Sequence, residues 1–269
     1  MITKIIAKKT LSDGLIKLEI KTSDKFPLTN PGEYIILHSV TGKKSITLPI
    51  FKNETGRETL TVLVPIVTDE VEIFIHQIEV GTLIELEGPL GQAFRIGNFG
   101  NVLCVADYDC LTPLLPVISA LRASGNKITC MLMQNQGTHP LLETEIRKYT
   151  DNWIITNENQ NRTTHLLEQN LRYQKYDQLI GIGHTRTIRE TSTLCTATRT
   201  PAQQMLFLNE KNLQGQHGIF KVSTCEKTHS ICIDGHDYNA HFINFEEVAK
   251  KFENKRSEIK SIEKIETNR

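Results

Sequence analysis

Residues Asn101 to Met133 read NVLCVADYDCLTPLLPVISALRASGNKITCMLM. Val102-Leu103-Cys104-Val105-Ala106 is continuously apolar, a polar loop follows, Pro113 to Ser124 carries apolar residues at helical spacing, and Lys127 to Met133 is apolar again. A strand buried on both faces shows no polar alternation, and parallel neighbours require a crossover between them. The stretch therefore predicts strand, helix and strand within a covered parallel sheet. Leu141 to Tyr149, Trp153 to Thr156, Thr163 to Asn170 and Gln178 to Ile182 repeat the alternation, which predicts an α/β domain of nucleotide-binding type.

Upstream the pattern differs. Short apolar runs at Lys4–Ala7, Leu15–Ile20, Tyr34–Leu37, Ser45–Ile50, Thr59–Ile66 and Thr82–Glu87 are punctuated by Ser12-Asp13-Gly14, by Pro27 through Gly32 and by Asn53 through Arg57. Many short strands at this spacing predict a small antiparallel β-barrel, with Asp69 to Val80 either a short helix or a loop. Gly97-Asn98-Phe99-Gly100 is the expected boundary, giving a barrel over 1–98 and an α/β domain over 99–205. At the other end, Glu246 to Arg269 is dense in Lys and Glu, with Val248, Phe252, Ile259, Ile262 and Ile265 at loosely helical spacing. A solvated helical tail over 246–269 is expected.

The 269 residues suffice for two domains with their own cores. Thirty-one basic residues cancel thirty-one acidic ones, so no net field draws the chain to nucleic acid or to an anionic membrane. The opening apolar run is too short for a signal peptide, and no stretch reaches the roughly 20 apolar residues of a membrane span. A cytoplasmic protein without membrane insertion is expected. The six cysteines are scattered, with no Cys-x-x-Cys pair, and are expected to be buried thiols rather than disulfides or a zinc site.

Several motifs fall in a familiar order. Pro31-Gly32-Glu33-Tyr34, Gly88-Pro89-Leu90-Gly91, Thr112-Pro113-Leu114-Leu115-Pro116, and Tyr176-Asp177 with Ile180-Gly181-Ile182-Gly183 are followed by Ser230-Ile231-Cys232-Ile233-Asp234-Gly235, Tyr238-Asn239-Ala240-His241 and Phe245-Glu246-Glu247. Together they resemble the electron-transfer subunits of the ferredoxin-NADP reductase superfamily. Members include the small subunit of NADH-dependent ferredoxin:NADP oxidoreductase, the sulfide dehydrogenase beta subunit and the dihydroorotate dehydrogenase electron-transfer subunit. The resemblance spans nearly the whole chain. It implies a flavin site on the barrel, a nucleotide site on the α/β domain, and a 2Fe-2S segment, here 206–245, that closes in a small hairpin.

Each implied site departs from what its chemistry needs. For the flavin, Lys43 stands where the family has Arg, and Thr47 keeps the hydroxyl; a lysine neutralises phosphate but cannot fork two parallel hydrogen bonds to it. Where the family places a glycine-rich turn for the flavin pyrophosphate, this chain has Val67-Thr68-Asp69-Glu70-Val71. One unit repulsion there at about 4 Å is on the order of 4 kcal/mol at an effective dielectric near 20.

The glycine-rich nucleotide turn is replaced by Asp107-Tyr108-Asp109-Cys110, which brings negative charge and bulk where bare amides and a helix N-terminus should cradle phosphate. Asp109 or Thr112 is expected to cap the following helix. Gly183-His184-Thr185-Arg186 stands at the second nucleotide contact, where His184 and Arg186 either grip an anion or belong to a solvated loop. The cluster loop, Gln214 to Lys221, has no cysteine, and only Cys232 matches a ligand position, whereas a 2Fe-2S cluster needs four thiolates. Cys225, Cys232, His217 and His229 fit no standard metal spacing.

These departures predict a redox-silent structural or regulatory subunit that docks a larger oxidoreductase subunit. It is expected to hold no cofactor, with FAD as the open possibility and neither NAD(P) nor 2Fe-2S expected. Lys43, Thr47, Thr112 and Gly183 are the candidates for residual flavin or nucleotide contact, and Cys232 marks a vestigial ligand position. Two alternatives stand beside this reading. One is an active FAD-dependent NAD(P)H reductase lacking the cluster; the other is a sensor of an anionic small ligand through His184 and Arg186.

Overall fold

Six strands, β1 (Ile2–Ser12), β2 (Leu15–Lys21), β3 (Tyr34–Ser39), β4 (Ser45–Glu54), β5 (Thr59–Pro65) and β6 (Leu83–Leu90), close into a barrel in the order β1-β2-β5-β4-β3-β6. All neighbouring pairs are antiparallel. The structure is a computed structural model that describes residues 1–39, 45–66, 69–91, 93–133, 140–156, 160–207, 219–225, 228–233 and 236–239. Ile5, Leu18, Ile20, Ile35, Leu37, Leu60 and Val62 fill the barrel. The segment Asp69–Val80 opens as helix α1 (Asp69–His76), whose Val71, Phe74 and Ile75 join the same core. Lys8 Nζ donates to the carbonyls of Ile75 at 3.0 Å and Ile78 at 2.7 Å, which satisfies acceptors that a helix end leaves open.

Two of the sequence motifs meet where the barrel closes. Tyr34 pairs with Leu90, and a Cβ on Gly91, whose φ is +82°, would lie 2.7 Å from Tyr34 Cε1. The ring and the glycine are thus one packing unit, and only a residue without a side chain fits both the left-handed backbone and the ring.

The second unit follows the predicted alternation. It comprises β7 (Asn101–Asp107), α2 (Leu111–Ala123), β8 (Lys127–Met133), α3 (Pro140–Arg147), β9 (Asn152–Thr156), α4 (Gln160–Tyr173), β10 (Gln178–Gly183), α5 (Thr185–Thr198) and β11 (Ala202–Phe207). The parallel part of the sheet runs β11-β10-β7-β8-β9. Side chains alternate between two cores: Val102, Cys104 and Ala106 pack with α2, and Leu103 and Val105 pack with Leu167 and Leu171 of α4. Leu15 and Leu63 of the barrel share the α2 core, so barrel and sheet are joined by apolar burial.

The linker between them is pinned by two buried amides. Asn126 Oδ1 accepts from the amides of Phe99 and Gly100 at 2.7 and 3.2 Å, while Gln203 exchanges two hydrogen bonds with the Arg95 backbone at 2.7 and 3.0 Å.

Three further strands, β12 (Ile219–Cys225), β13 (Thr228–Ile233) and β14 (His236–Asn239), pair antiparallel and extend the same sheet beyond β11. The expected hairpin is present. Its incorporation as an edge of the α/β sheet is new, because strand order is a long-range property that local patterning does not encode. The charged tail lies outside the described residues. Among the described residues, no helix is long and apolar enough to cross a membrane.

Candidate functional site

β7 and β10 are adjacent, but the connection from β7 leads to β8 on one side and that from β10 leads to β11 on the other. Ligands of open parallel sheets bind in the crevice at such a switch point, outside the carboxyl ends of the strands. Asp107 and Gly183, the last residues of the two strands, are therefore the floor of the crevice.

That floor is occupied by the chain itself. Asp107, 4% exposed, accepts the backbone N–H of His184 at 2.6 Å through Oδ2 and the hydroxyl of Thr187 at 2.8 Å through Oδ1. Its carboxylate sits on the N-terminus of α5, where the helix dipole favours negative charge. A Cβ on Gly183 would lie 2.4 Å from Asp107 Oδ2. The glycine thus supplies close approach, as a nucleotide-site glycine does, but to an internal carboxylate.

A second contact lies above the first. Asp109, in the 3-10 turn Tyr108–Cys110, meets His184 Nε2 at 2.7 Å, and Cys110 Sγ lies 3.6 Å from the other Asp109 oxygen. Tyr108 is buried, and its hydroxyl donates to Glu143 at 3.2 Å. Glu143 in turn pairs with Arg147 at 2.8 Å, and Arg147 stacks over the Trp153 ring at 4.9 Å. The turn is thereby clamped between α2 and α3.

Charge behaves accordingly. Burial pushes the Asp107 carboxyl above its ordinary value, against the His184 amide and Thr187 hydroxyl that hold it down. Burial acts on Asp109 too, but the His184 hydrogen bond and charge outweigh it, and that carboxyl falls below its ordinary value. The Cys110 thiol is driven well up by burial and then by the charges of Asp109 and Asp107. Burial likewise pushes Cys104 and Cys195 up to about 12, as expected of inert core thiols.

Several expectations are corrected here. Neither Asp109 nor Thr112 caps α2: the N-cap is Cys110 with no side-chain cap hydrogen bond, because the Asp109 carboxylate is drawn to His184. Thr112 is 4% exposed in the first turn. Gly183-His184-Thr185-Arg186 is not a solvated loop but the start of α5, with His184 as N-cap. His184 Nε2 meets Asp109 at 2.7 Å, and Arg186 Nε binds Glu190 at 2.8 Å, one turn along the same helix. Thr187, which no sequence signal marked, is as much part of the site as Asp107.

Similarity to known proteins agrees with this architecture. No protein-family model matches the chain. A Thermotoga maritima protein named dihydroorotate dehydrogenase B (NAD(+)), electron transfer subunit homolog, is 22% identical over 263 residues, covering 96% of this chain and 93% of its own length. The NADH-dependent reduced ferredoxin-NADP oxidoreductase structure superposes with a TM-score of 0.66 at 18% identity, covering 92% of this chain and 91% of the matched one. The chain thus has the ferredoxin reductase-like fold and is similar in sequence to a protein named as an electron-transfer subunit homolog. Phthalate dioxygenase reductase shares the fold, with a TM-score of 0.57 at 14% identity over 83% of this chain and 76% of its own.

The strand on which the resemblance implies a flavin contact is β4. Ile46, Leu48 and Ile50 point into the barrel, so Ser45 and Thr47 point outward. They are nonetheless only 8% and 6% exposed. Lys43 lies outside the described residues. Asp69 opens α1. The Asp107 carboxylate occupies the His184 amide that an anionic ligand at the start of α5 would also need.

The cluster segment holds the remaining two cysteines. Cys225 pairs with Thr228 across the β12–β13 hairpin, and Cys232 lies four residues beyond Thr228. At about 3.4 Å per residue the two Cα positions are roughly 14 Å apart along the strands. Gln214 to Gly218, including His217, lie outside the described residues.

Proposed function

We propose that this chain is a redox-silent subunit that serves an oxidoreductase assembly structurally or as a regulator, docking a larger subunit without carrying electrons. The observation that carries the reading is the Asp107 carboxylate on the α5 N-terminus. An anionic group of a nucleotide at this second contact would seek the same helix end and the same amides, and binding it would require expelling an internal carboxylate already held by two hydrogen bonds. The docked partner follows by analogy from relatives named as electron-transfer subunits, and the edge of the sheet formed by β12 to β14 is the region where docking is expected.

Affinity purification of the tagged chain from its native host tests this. The reading expects a larger oxidoreductase subunit at fixed stoichiometry, with any flavin remaining on that partner after the two are separated. A chain that purifies alone, or one that keeps flavin after separation, contradicts it. The second outcome would instead support an FAD-dependent reductase.

A further inference from the structure

The crevice that binds anions in related folds is lined here by electron-pair donors. Asp109, Cys110 and His184 each offer one ligand atom, and the three atoms lie within 4.8 Å of one another. Two are adjacent in the 3-10 turn after β7, and the third is the N-cap of α5. We propose that Asp109, Cys110 and His184 bind a divalent transition metal of the zinc class, so that the emptied nucleotide crevice has become a metal site.

Donor chemistry selects the metal. One thiolate, one imidazole and one carboxylate suit zinc and its borderline neighbours, whereas calcium and magnesium require mostly oxygen ligands. Metal–ligand lengths of about 2.0–2.3 Å place tetrahedral ligand atoms roughly 3.3–3.8 Å apart. Cys110 Sγ lies 3.6 Å from one Asp109 oxygen and His184 Nε2 lies 2.7 Å from the other, so both donors flank the carboxylate, and shifts of about 1 Å bring the three ligand atoms to that spacing. The His184 and Asp109 side chains are each 28% exposed while Cys110 is buried. The open side is left for water, as in sites with three protein ligands.

The supporting contacts are also present. Asp107 accepts the His184 amide and the Thr187 hydroxyl, fixing the helix end that carries the imidazole. Asp107 is a positioning residue rather than a ligand. Coordination through His184 Nε2 leaves the ring proton on Nδ1, and the Cys110 thiol releases its proton to solvent. With a neutral imidazole, one proton therefore leaves for each metal bound, and affinity falls about tenfold per unit decrease in pH.

Cobalt(II) is a suitable probe because a thiolate ligand gives it an intense near-ultraviolet charge-transfer band. The purified full chain, stripped of metal, is expected to take up one cobalt per chain with that band. Asp109→Ala and His184→Ala are expected to weaken uptake at least about tenfold, since even outer-shell changes cost that much. Cys110→Ser is expected to abolish the band while circular dichroism verifies the fold, and should Cys110→Ser not fold, His184→Gln is expected to show the same weakening as His184→Ala. A Cys225→Ser/Cys232→Ser double variant is expected to retain the band. The proposal is overturned if cobalt gives no band in the parent chain, or if the band persists in Cys110→Ser or survives unweakened in His184→Gln. It goes beyond the subunit reading, which a chain that ignores cobalt would leave intact.

Discussion

The Asp107 carboxylate accepts the backbone N–H of His184 at 2.6 Å across 77 residues of sequence. This contact joins the end of β7 to the start of α5 and places a negative charge where the fold otherwise receives phosphate. Asp107→Ala should strand the His184 amide and the Thr187 hydroxyl in a buried site. Leaving two such groups unpaired costs about 2–4 kcal/mol, measurable by chemical denaturation. Asp107→Asn keeps an acceptor and should lose less. Equal stability of Asp107→Ala and the parent would show that the contact is incidental.

Gly91 faces the Tyr34 ring from a backbone φ of +82°. Gly91→Ala combines an unfavourable backbone region with a clash, for which about 1–3 kcal/mol of destabilisation is expected. Tyr34→Ala in the same background removes the clash, so a double-mutant cycle should give a clear coupling energy. Simple additivity of the two changes would contradict the packing described.

Gln204 is fully buried between α5 and β11. It accepts the Ser192 hydroxyl at 2.6 Å and donates to Thr191 Oγ1. Gln204→Leu should cost about 2–3 kcal/mol, because both hydroxyls lose a buried partner. Combining it with Ser192→Ala and Thr191→Val should recover part of that loss, a result readable from midpoints of urea unfolding.

Asp151 supplies a pH-dependent contribution away from the crevice. Its carboxylate accepts the Ile128 amide and Arg122 Nη1, both at 2.8 Å. The Ile128 hydrogen bond is the main reason its carboxyl lies below the ordinary value of 3.8, with Arg122 adding to it. A depressed acid stabilises the fold at pH above its unfolded value and loses that contribution as pH falls through the folded value. Asp151→Asn should therefore cost about 1 kcal/mol at neutral pH, given the partial exposure. The gap to the parent should close below pH 3.8, and a gap constant down to the folded value would refute the assignment.

Local patterning made most of the fold legible. The barrel runs, the continuous apolar strand Val102–Ala106 and the hairpin near Cys232 all express periods of burial that neighbouring residues carry. The helix over Asp69–His76 was ambiguous because a stretch of that length satisfies either reading until Phe74 and Ile75 are seen to enter the barrel core. The site was legible in its charge and not in its wiring. Asp109 reads locally as a helix cap, and only its approach to His184, 75 residues away, draws it off that role. Thr187 and the true use of Gly183 were hidden for the same reason, since both are defined by a partner on another strand.

The proposed redox-silent subunit carries no flavin and does not react with NADH. The most direct test is the visible absorption spectrum of the isolated full chain, recorded as purified, after incubation with FAD and removal of the excess, and after addition of NADH. The account predicts a colourless protein that retains no flavin and leaves NADH unoxidised. A spectrum with close to one flavin per chain, bleached by NADH, would contradict it.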